Sequence, residues 1–363
     1  MMGIFVNFCA GTNSNILPAK DVDALLGNVP YNGIGEKAIQ DTNLMFDYAA
    51  CTYRFLDTGG YQYAVAETDG KEIINDSSKP AICDKTTLNL TLDHVFYAMK
   101  KLNVNMANAM DFPIKKYESP EADVFEFHKK VGLNLHWARE SARLKNINCP
   151  DVELFLPIQC YNLDQLDYFL THLGSIEFDG YSIPTRNFQI NELTLFLVRF
   201  YQLGIKKVHI LGTSQFFTIA MGAYMARHYF DWVSLDATTW REQAQNGNYL
   251  NQYNLMPEKI YNVIIDERIE NDCTCPFCKD KTFTYIKNLP QTERVDFLRC
   301  HNFWAIEKVT RELYDNADTI LTLEKYLKKK SSDVKKIDEL IKVLSLIDIL
   351  KDEDIKQVQT LLL

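Results

Sequence analysis

The chain has 363 residues, of which 47% are hydrophobic and 24% charged, and its formal net charge is −9. This length fits one large barrel or two ordinary domains, and the composition is that of a globular protein. The net negative charge argues against a protein that coats nucleic acid non-specifically, but it is compatible with a local basic groove. No apolar run reaches the roughly 18 residues of a membrane span. The amino-terminal segment lacks the basic region and cleavage site of a signal peptide.

Short apolar strands alternate with amphipathic helical segments, which is the pattern of a parallel α/β fold. The predicted strands cover residues 4–8, 53–56, 105–110, 153–158, 176–183, 208–211 and 232–235. The predicted helices cover residues 92–102, 122–145, 163–173, 190–203 and 218–228. Seven strands, with an eighth that the pattern does not locate, would make a (β/α)8 barrel of the TIM type.

Two polar stretches, residues 21–47 and 67–85, contain glycine or asparagine and are predicted to be loops or insertions. The chain becomes helical after residue 301, and a break near residues 329–333 precedes a last amphipathic segment, 334–363. That segment is interpreted as a helical appendage or as an oligomer contact, for example in a homodimer. We therefore predict a barrel domain over residues 1–315, with an inserted subdomain over the cysteine-rich residues 273–301, and a helical appendage over 316–363.

A cluster of sulfur ligands predicts a metal site. Cys273, Cys275 and Cys278 fall within six positions, and His301 follows after 22 further residues. A Cys3His set suits tetrahedral Zn²⁺, with sulfur at about 2.3 Å and nitrogen at about 2.0 Å. Four protein ligands leave no open position, so a structural rather than a catalytic metal is predicted. The alternative is a set of buried, reduced cysteines, and Cys300 is the neighbouring rival for the fourth ligand.

The chain contains nine cysteines, an odd number. With three of them assigned to the metal, or four if Cys300 were the fourth ligand, the others are interpreted as free thiols, which are typical of a reducing compartment. We therefore predict a cytoplasmic protein.

Polar side chains follow four of the predicted strands, where the functional residues of a barrel lie. They are Asp57, Asp111, Gln159 and Asp236. Such a set is expected of one closed active site. The Asp111 carboxylate can accept two hydrogen bonds from one edge of a guanine-like base, while the Gln159 amide can donate to its carbonyl.

Asp57 opens a Thr58-Gly59-Gly60-Tyr61 segment after its strand. Two glycines let the backbone approach a flat ligand closely, and Tyr61 offers a ring for stacking. The alternative interpretation is an ordinary turn that binds no ligand.

Asp236 supplies a second carboxylate at a strand end. Two carboxylates that face one pocket allow one to attack covalently while the other moves protons. That chemistry suits the exchange of a group at an anomeric carbon. The alternative is that Asp236 caps the loop after its strand.

Together these motifs resemble the tRNA-guanine transglycosylase superfamily, and more closely its archaeosine-type branch. Cys-x-Cys-Pro-x-Cys followed by His-Asn resembles that branch's zinc site, and Asp-Thr-Gly-Gly-Tyr-Gln at 57–62 is similar to the family's Asp-Ser-Gly-Gly-Tyr-Gln. Residues 236–250 resemble the nucleophile segment, and Met-Asp-Phe-Pro at 110–113 and Pro-Ile-Gln at 157–159 resemble weaker base-reading motifs. The resemblance covers about residues 50–315.

The resemblance implies a pentosyltransferase that exchanges bases. Asp236 would attack C1′ of the target nucleoside and release guanine, which leaves the nucleic acid covalently attached. Asp57 would serve as general acid/base, and a 7-deazaguanine such as a preQ0-type precursor would then displace Asp236. Asp111 and Gln159 would read the base, with Tyr61 stacked on it. The implied base-binding set also includes Thr58, Gly59 and Gly60.

Asp231 is a rival nucleophile, because Phe-Asp-Trp-Val at 230–233 resembles the bacterial Phe-Asp-Cys-Val pattern. Asp236 is preferred for two reasons. The eleven-residue step from Asp236 to Gly247 fits the family, and Asp231 would begin the strand rather than end it.

Two departures from the family pattern bear on the substrate. Pro184-Thr185 stands where the family has Gly-Gly or Gly-Ser, and proline removes an N–H that could contact the base. The sequence after residue 315 also does not resemble the carboxyl-terminal RNA-binding modules of archaeal tRNA enzymes. Both departures resemble DNA-directed relatives of phages and bacterial modification clusters, which would place a phage-encoded member in the host cytoplasm. The alternatives are the same exchange on tRNA, since bacterial tRNA enzymes also lack the modules, and a non-catalytic nucleic-acid-binding barrel.

Overall fold

The computed structural model describes residues 3–11, 22–49, 51–117, 119–185, 188–260 and 273–362. Within these residues the strands are β1 (Ile4–Ala10), β2 (Ala24–Asn28), β3 (Tyr53–Asp57), β4 (Glu72–Ile73), β5 (Ile82–Cys83), β6 (Thr87–Asn89), β7 (Met106–Asn108), β8 (Glu153–Pro157), β9 (Gly180–Pro184), β10 (Lys207–Leu211), β11 (Trp232–Ala237), β12 (Asn248–Leu250) and β13 (Pro257–Lys259).

The α-helices of the described residues follow in the same chain order. They are α1 (Glu36–Tyr48), α2 (Gly60–Asp69), α3 (Leu92–Lys101), α4 (Pro120–Asn148), α5 (Leu163–Leu173), α6 (Ile190–Gln202), α7 (Phe216–His228), α8 (Thr239–Gln245), α9 (Phe283–Asn288), α10 (Gln291–Asn316), α11 (Ile320–Lys330), α12 (Val334–Leu350) and α13 (Ile355–Leu362). None of these helices is both long and apolar enough to traverse a lipid bilayer.

Eight strands form a closed barrel in the order β1-β11-β10-β9-β8-β7-β3-β2. The pairing is parallel from β3 to β7, from β7 to β8 and from β8 to β9. Helices α5, α6 and α7 follow β8, β9 and β10, as parallel pairing requires. The predicted (β/α)8 fold is therefore confirmed, and helices α11 to α13 confirm that the chain ends in helical segments.

The prediction of a loop over residues 21–47 is wrong, because this stretch contains the missing strand β2 and helix α1. β2 pairs in parallel with β3, with Ala24 opposite Tyr53 and Asn28 opposite Asp57. Its first four residues, Ala-Leu-Leu-Gly, are all buried, so the strand shows no alternation of polar and apolar residues that would reveal it. The prediction of a loop over 67–85 is also incomplete, since α2 extends to Asp69 and β4, β5 and β6 form a small sheet.

Local signals explain why other helices were predicted closely. The Asn162 side chain accepts a hydrogen bond from the Gln165 N–H at 2.9 Å and caps α5, which then ends at Gly174 with φ +78°. Ser119 caps α4 in the same way, with Pro120 in the first turn, where its missing N–H costs nothing.

The chain divides into two compact units. One unit comprises Ala10–Gln189 and Lys207–Leu211, and thus contains β2 to β10. Its core includes the fully buried Phe55, which stacks on His209 with ring centroids 4.7 Å apart and packs against Phe155 at 5.4 Å.

The other unit comprises Met1–Cys9, Ile190–Lys206 and Gly212–Leu363. Here α12 packs on α6 and α7, and α13 packs on α6. α12 buries Ile337, Leu340, Leu344 and Ile347, a spacing of three and four residues that places them on one helix face. The predicted last segment, 334–363, is thus two helices.

Candidate active site and metal centre

Asp57 is the last residue of β3, and amides from the two neighbouring strands hold its carboxylate. Asn28, which ends β2, donates from Nδ2 to Asp57 Oδ2 at 2.7 Å. Asn108, which ends β7, donates from Nδ2 to Asp57 Oδ1 at 3.1 Å. Hydrogen bonds donated to a carboxylate favour its charged form, so the two amides stabilise Asp57 as an anion.

The two glycines after Asp57 are needed for close packing. Gly59 adopts φ +83°, and a Cβ there would lie 2.5 Å from the Pro30 ring. A Cβ on Gly60 would lie 2.2 Å from the backbone oxygen of Asp111 and 2.4 Å from its carboxylate Oδ1. Gly60 therefore lets the start of α2 lie against Asp111, while Gly59 allows the close contact with Pro30.

Thr58 and Tyr61 differ in their surroundings. The Thr58 hydroxyl is buried and donates to the Ala109 carbonyl oxygen at 3.3 Å, which ties the motif to the segment after β7. Tyr61 lies in the first turn of α2 and is 46% exposed, so much of its ring surface faces solvent. Its stacking on a base stays a prediction.

The two predicted base-reading residues lie together. Gln159 donates from Nε2 to Asp111 Oδ2 at 2.6 Å, and its Oε1 accepts the Ile114 N–H at 3.4 Å. Burial, and then the charge of Asp57, raise the pKa of Asp111 to about 7, against the lowering effect of the Gln159 hydrogen bond. Near neutral pH this carboxyl group therefore occurs in both forms, and it can donate as well as accept a hydrogen bond.

Asp236 is the penultimate residue of β11 and is buried. Its Oδ1 accepts the Gly212 N–H at 2.8 Å, and Gly212 reaches this geometry with φ +76°. Asp231 directly precedes β11, at the opposite end of the strand, and is exposed. Asp236 is thus the aspartate at the carboxyl end of this strand.

The Cys3His cluster has the geometry of a metal site. Cys273, Cys275, Cys278 and His301 are all buried, and their ligand atoms lie within 4.8 Å of one another. The sulfur atoms lie 3.6, 3.4 and 3.4 Å, in that order, from His301 Nδ1. A tetrahedral zinc ion at about 2.3 Å from sulfur and about 2.0 Å from nitrogen separates these atoms by about 3.5 Å, so the donor set fits zinc.

Cys300, the predicted rival ligand, is not part of this group. It is partly buried, and burial, followed by the charge of Asp296, raises its pKa to about 11.

The ligand His301 and its neighbour Asn302 hold the chain that follows β11. His301 Nε2 lies 2.8 Å from the Leu250 carbonyl oxygen, a contact that directs Nδ1 toward the sulfurs. Asn302 Oδ1 accepts the Leu250 N–H at 2.8 Å, and its Nδ2 donates to the carbonyl oxygens of Trp240 and Asn248 at 3.3 and 3.1 Å. We call these contacts the Leu250 clamp.

The family model described as "TGT: Queuine tRNA-ribosyltransferase" matches residues 35–316, more than half of the chain. The chain belongs to this family. A search of the curated proteins finds no match to it.

Membership of the queuine tRNA-ribosyltransferase family makes the chain a pentosyltransferase that exchanges guanine in a nucleic acid for another base. The matched range contains all four polar residues at the strand ends and all four metal ligands. The Cys3His group is therefore the structural zinc site of this enzyme.

Pro184-Thr185, the departure from the family pattern, offers no backbone donor to a ligand. Proline has no N–H, and the N–H and hydroxyl of Thr185 both donate to the Leu211 carbonyl oxygen, at 3.3 and 2.7 Å. Arg186, which follows in the sequence, lies outside the described residues.

Sequence analysis missed Asn28, Asn108 and Gly212, which bind the carboxylates. Each follows or ends a buried strand, which is the same signal that identified Asp57. The signal was insufficient because amide side chains and glycines at strand ends are common.

Proposed function

We propose that this transglycosylase replaces guanine in DNA by a 7-deazaguanine base, such as a preQ0-type precursor, through a covalent intermediate on Asp236. In this proposal an Asp236 carboxylate oxygen bonds to C1′ as the bond from C1′ to guanine N9 breaks. The incoming base then loses its N9 proton, bonds to C1′ and releases Asp236. The departing guanine gains a proton at N9, and the incoming base later loses one from N9. Asp57 can therefore donate the first proton as a general acid and then accept the second as a general base.

Asp111 and Gln159 are proposed to read the base, with Thr58, Gly59, Gly60 and Tyr61 beside it. The observation that carries the proposal is the cluster of Asp57, Asp111 and Gln159 within a chain of this family. A carboxyl group with a pKa near 7 matches a purine edge that offers both donors and acceptors.

DNA is proposed as the acceptor because Pro184 and Thr185 leave no free N–H for the base, and this departure from the family pattern suits an altered 7-substituent and resembles DNA-directed relatives. C1′ of a paired nucleotide lies inside a duplex, so the target must be flipped out or single-stranded. The tRNA alternative remains, since the family description itself names tRNA. A reducing compartment such as the cytoplasm suits nine cysteines without disulfides, and a homodimer remains a prediction.

Labelled-base exchange tests the acceptor. The protein is incubated with labelled guanine or a 7-deazaguanine and with duplex DNA, single-stranded DNA or tRNA, and nucleosides are then analysed by mass spectrometry. We expect label in DNA, with single-stranded DNA the better acceptor. Label in tRNA alone would overturn the DNA assignment, and label in neither would contradict the proposed exchange.

A further inference from the structure

Two buried polar side chains inside the barrel carry an inference about Asp57. Ser182, on β9, and Asn108, on β7, are both fully buried. The Ser182 hydroxyl donates to Asn108 Oδ1 at 2.6 Å, and Asn108 Nδ2 donates in turn to Asp57 Oδ1 at 3.1 Å. Buried polar groups without partners destabilise a fold, so such a chain of hydrogen bonds is stable only when complete.

The direction of this chain of hydrogen bonds follows from the chemistry of its ends. An ionised carboxylate can only accept, so Asn108 must turn its NH2 group toward Asp57 and its oxygen toward Ser182. The serine hydroxyl, as a donor, fixes the amide in that orientation. Without it, the Asn108 amide could rotate and present its oxygen to the carboxylate, which would repel it.

We propose that Asn108, oriented by Ser182, is a positioning residue that keeps Asp57 ionised and in place to accept the N9 proton of the incoming base. This assignment rests on the proposed function. Neither residue touches the base; both act through Asp57. Asn28 binds the other oxygen of Asp57, so the loss of Asn108 weakens the hold on the carboxylate without abolishing it.

Asp111 contributes a charge that acts on this group, since Asp57 and Asp111 influence each other electrostatically. The groups contributed by β2 and β7, Asn28 and Asn108, are neutral amides. Below neutral pH, Asp111, with a pKa of about 7, remains protonated, whereas an anionic Asp57 can accept a proton. This separation of roles depends on the amides that favour the anion.

The pH dependence of exchange tests the assignment with Asn108→Leu and Ser182→Ala. We expect the acidic limb of the kcat/KM profile for the incoming base to move to higher pH in Asn108→Leu, because this step needs ionised Asp57. The loss should be about tenfold at pH 6 and less at pH 8, with little change in KM for the nucleic acid. Ser182→Ala should shift the limb less, and should have no further effect in the Asn108→Leu background. An unshifted limb, or additive effects, would overturn the proposal.

Asn7→Leu is the matched control. Asn7 is a buried asparagine on β1 that donates to the Thr310 hydroxyl at 3.3 Å. The same replacement there should lower the melting temperature and leave the position of the acidic limb unchanged. A comparable shift in Asn7→Leu would show that the effect comes from general destabilisation.

A measurement without substrate separates this proposal from the proposed function. The melting temperatures of the wild type and Asn108→Leu are compared from pH 4 to pH 7, alone and in an Asp57→Asn background. A donor to an anion stabilises only while the anion exists, so the difference should shrink as the pH falls and should not depend on pH in the Asp57→Asn background. A difference that is constant with pH in both backgrounds would overturn the positioning role, even for a chain that exchanges no base.

Discussion

At the scale of single residues, the three candidate carboxyl groups have different environments. Asp57 receives two amide donors, Asp111 is buried against a glycine, and Asp236 receives one backbone N–H. The sequence predicted these residues because each stands at the end of an apolar strand. It could not predict Asn28 or Ser182 as partners, because these contacts depend on strand register rather than on local pattern.

A covalent adduct would distinguish Asp236, on β11, from Asp231, which directly precedes this strand. Asp236→Asn should abolish both exchange and the adduct, because an amide is a poor nucleophile, whereas Asp57→Asn should lower turnover by about 10²–10⁴-fold and still allow an adduct to be trapped. Denaturing gels of protein mixed with nucleic acid would show the adduct as a slower band. Asp231→Asn is the control and should retain it; an adduct lost in Asp231→Asn and kept in Asp236→Asn would move the nucleophile.

The raised pKa of Asp111 predicts a pH-dependent stability. Its folded pKa of about 7 exceeds the value of about 4 in an unfolded chain, so the fold favours the neutral form. Its stabilising contribution is complete below about pH 4 and is lost as the pH rises to about 7, by at most about 4 kcal/mol. In urea unfolding, the free energy of unfolding of Asp111→Asn should therefore rise relative to that of the wild type as the pH increases over this interval. Above about pH 8 the difference between the two proteins should stay constant. A difference that is the same at pH 5 and pH 8 would contradict this.

At the scale of elements, the zinc ligands join α10 to the chain after β11 through the Leu250 clamp. Ligand spacing in the sequence predicted all four ligands, because Cys-x-Cys-x-x-Cys with a distant His is a recognisable pattern. It did not predict that both backbone groups of Leu250 are held by consecutive residues of α10. That contact depends on packing between elements far apart in the chain.

A pair of cysteine variants tests the metal. We expect about one zinc per folded chain and its loss in Cys275→Ser, together with a drop of several kcal/mol in the free energy of unfolding. Cys300→Ser, beside the ligand His301, should keep its zinc and nearly all its stability. Metal analysis and thermal unfolding give both results. Folded wild-type protein without zinc, or zinc loss in Cys300→Ser, would contradict the assignment.

At the scale of the molecule, the alternation of strands and helices was enough to predict the barrel. β2 was not predicted, because its residues are almost uniformly buried and show no alternating pattern. The division at residue 315 remains a prediction. Helices α12 and α13 are bound to the unit that contains α6 and α7, and polar contacts reinforce this packing. Gln202 donates to the carbonyl oxygens of Lys351 and Glu353, and Asp348 accepts from the hydroxyls of Tyr224 and Tyr229.

Asp348→Asn tests how strongly α12 is held. The substitution removes the charge that accepts both tyrosine hydroxyls, and it should lower the free energy of unfolding by about 1–2 kcal/mol, a value discounted because Asp348 is exposed. Asp338→Asn, an exposed position on the same helix, should change it by less than about 0.5 kcal/mol. Equal effects in denaturant unfolding would show that the tyrosine contacts do not stabilise the helix.

The close approach of Gly60 to Asp111 also constrains how related sequences can vary. The space that any side chain at position 60 would need is already filled by the backbone and carboxylate of Asp111. A relative with a larger residue at the position of Gly60 must therefore have a different loop after β7, with Asp111 in a different position. If Asp111 reads the base as proposed, such a pair of changes would mark a lineage whose base preference has diverged, even where every carboxylate is retained.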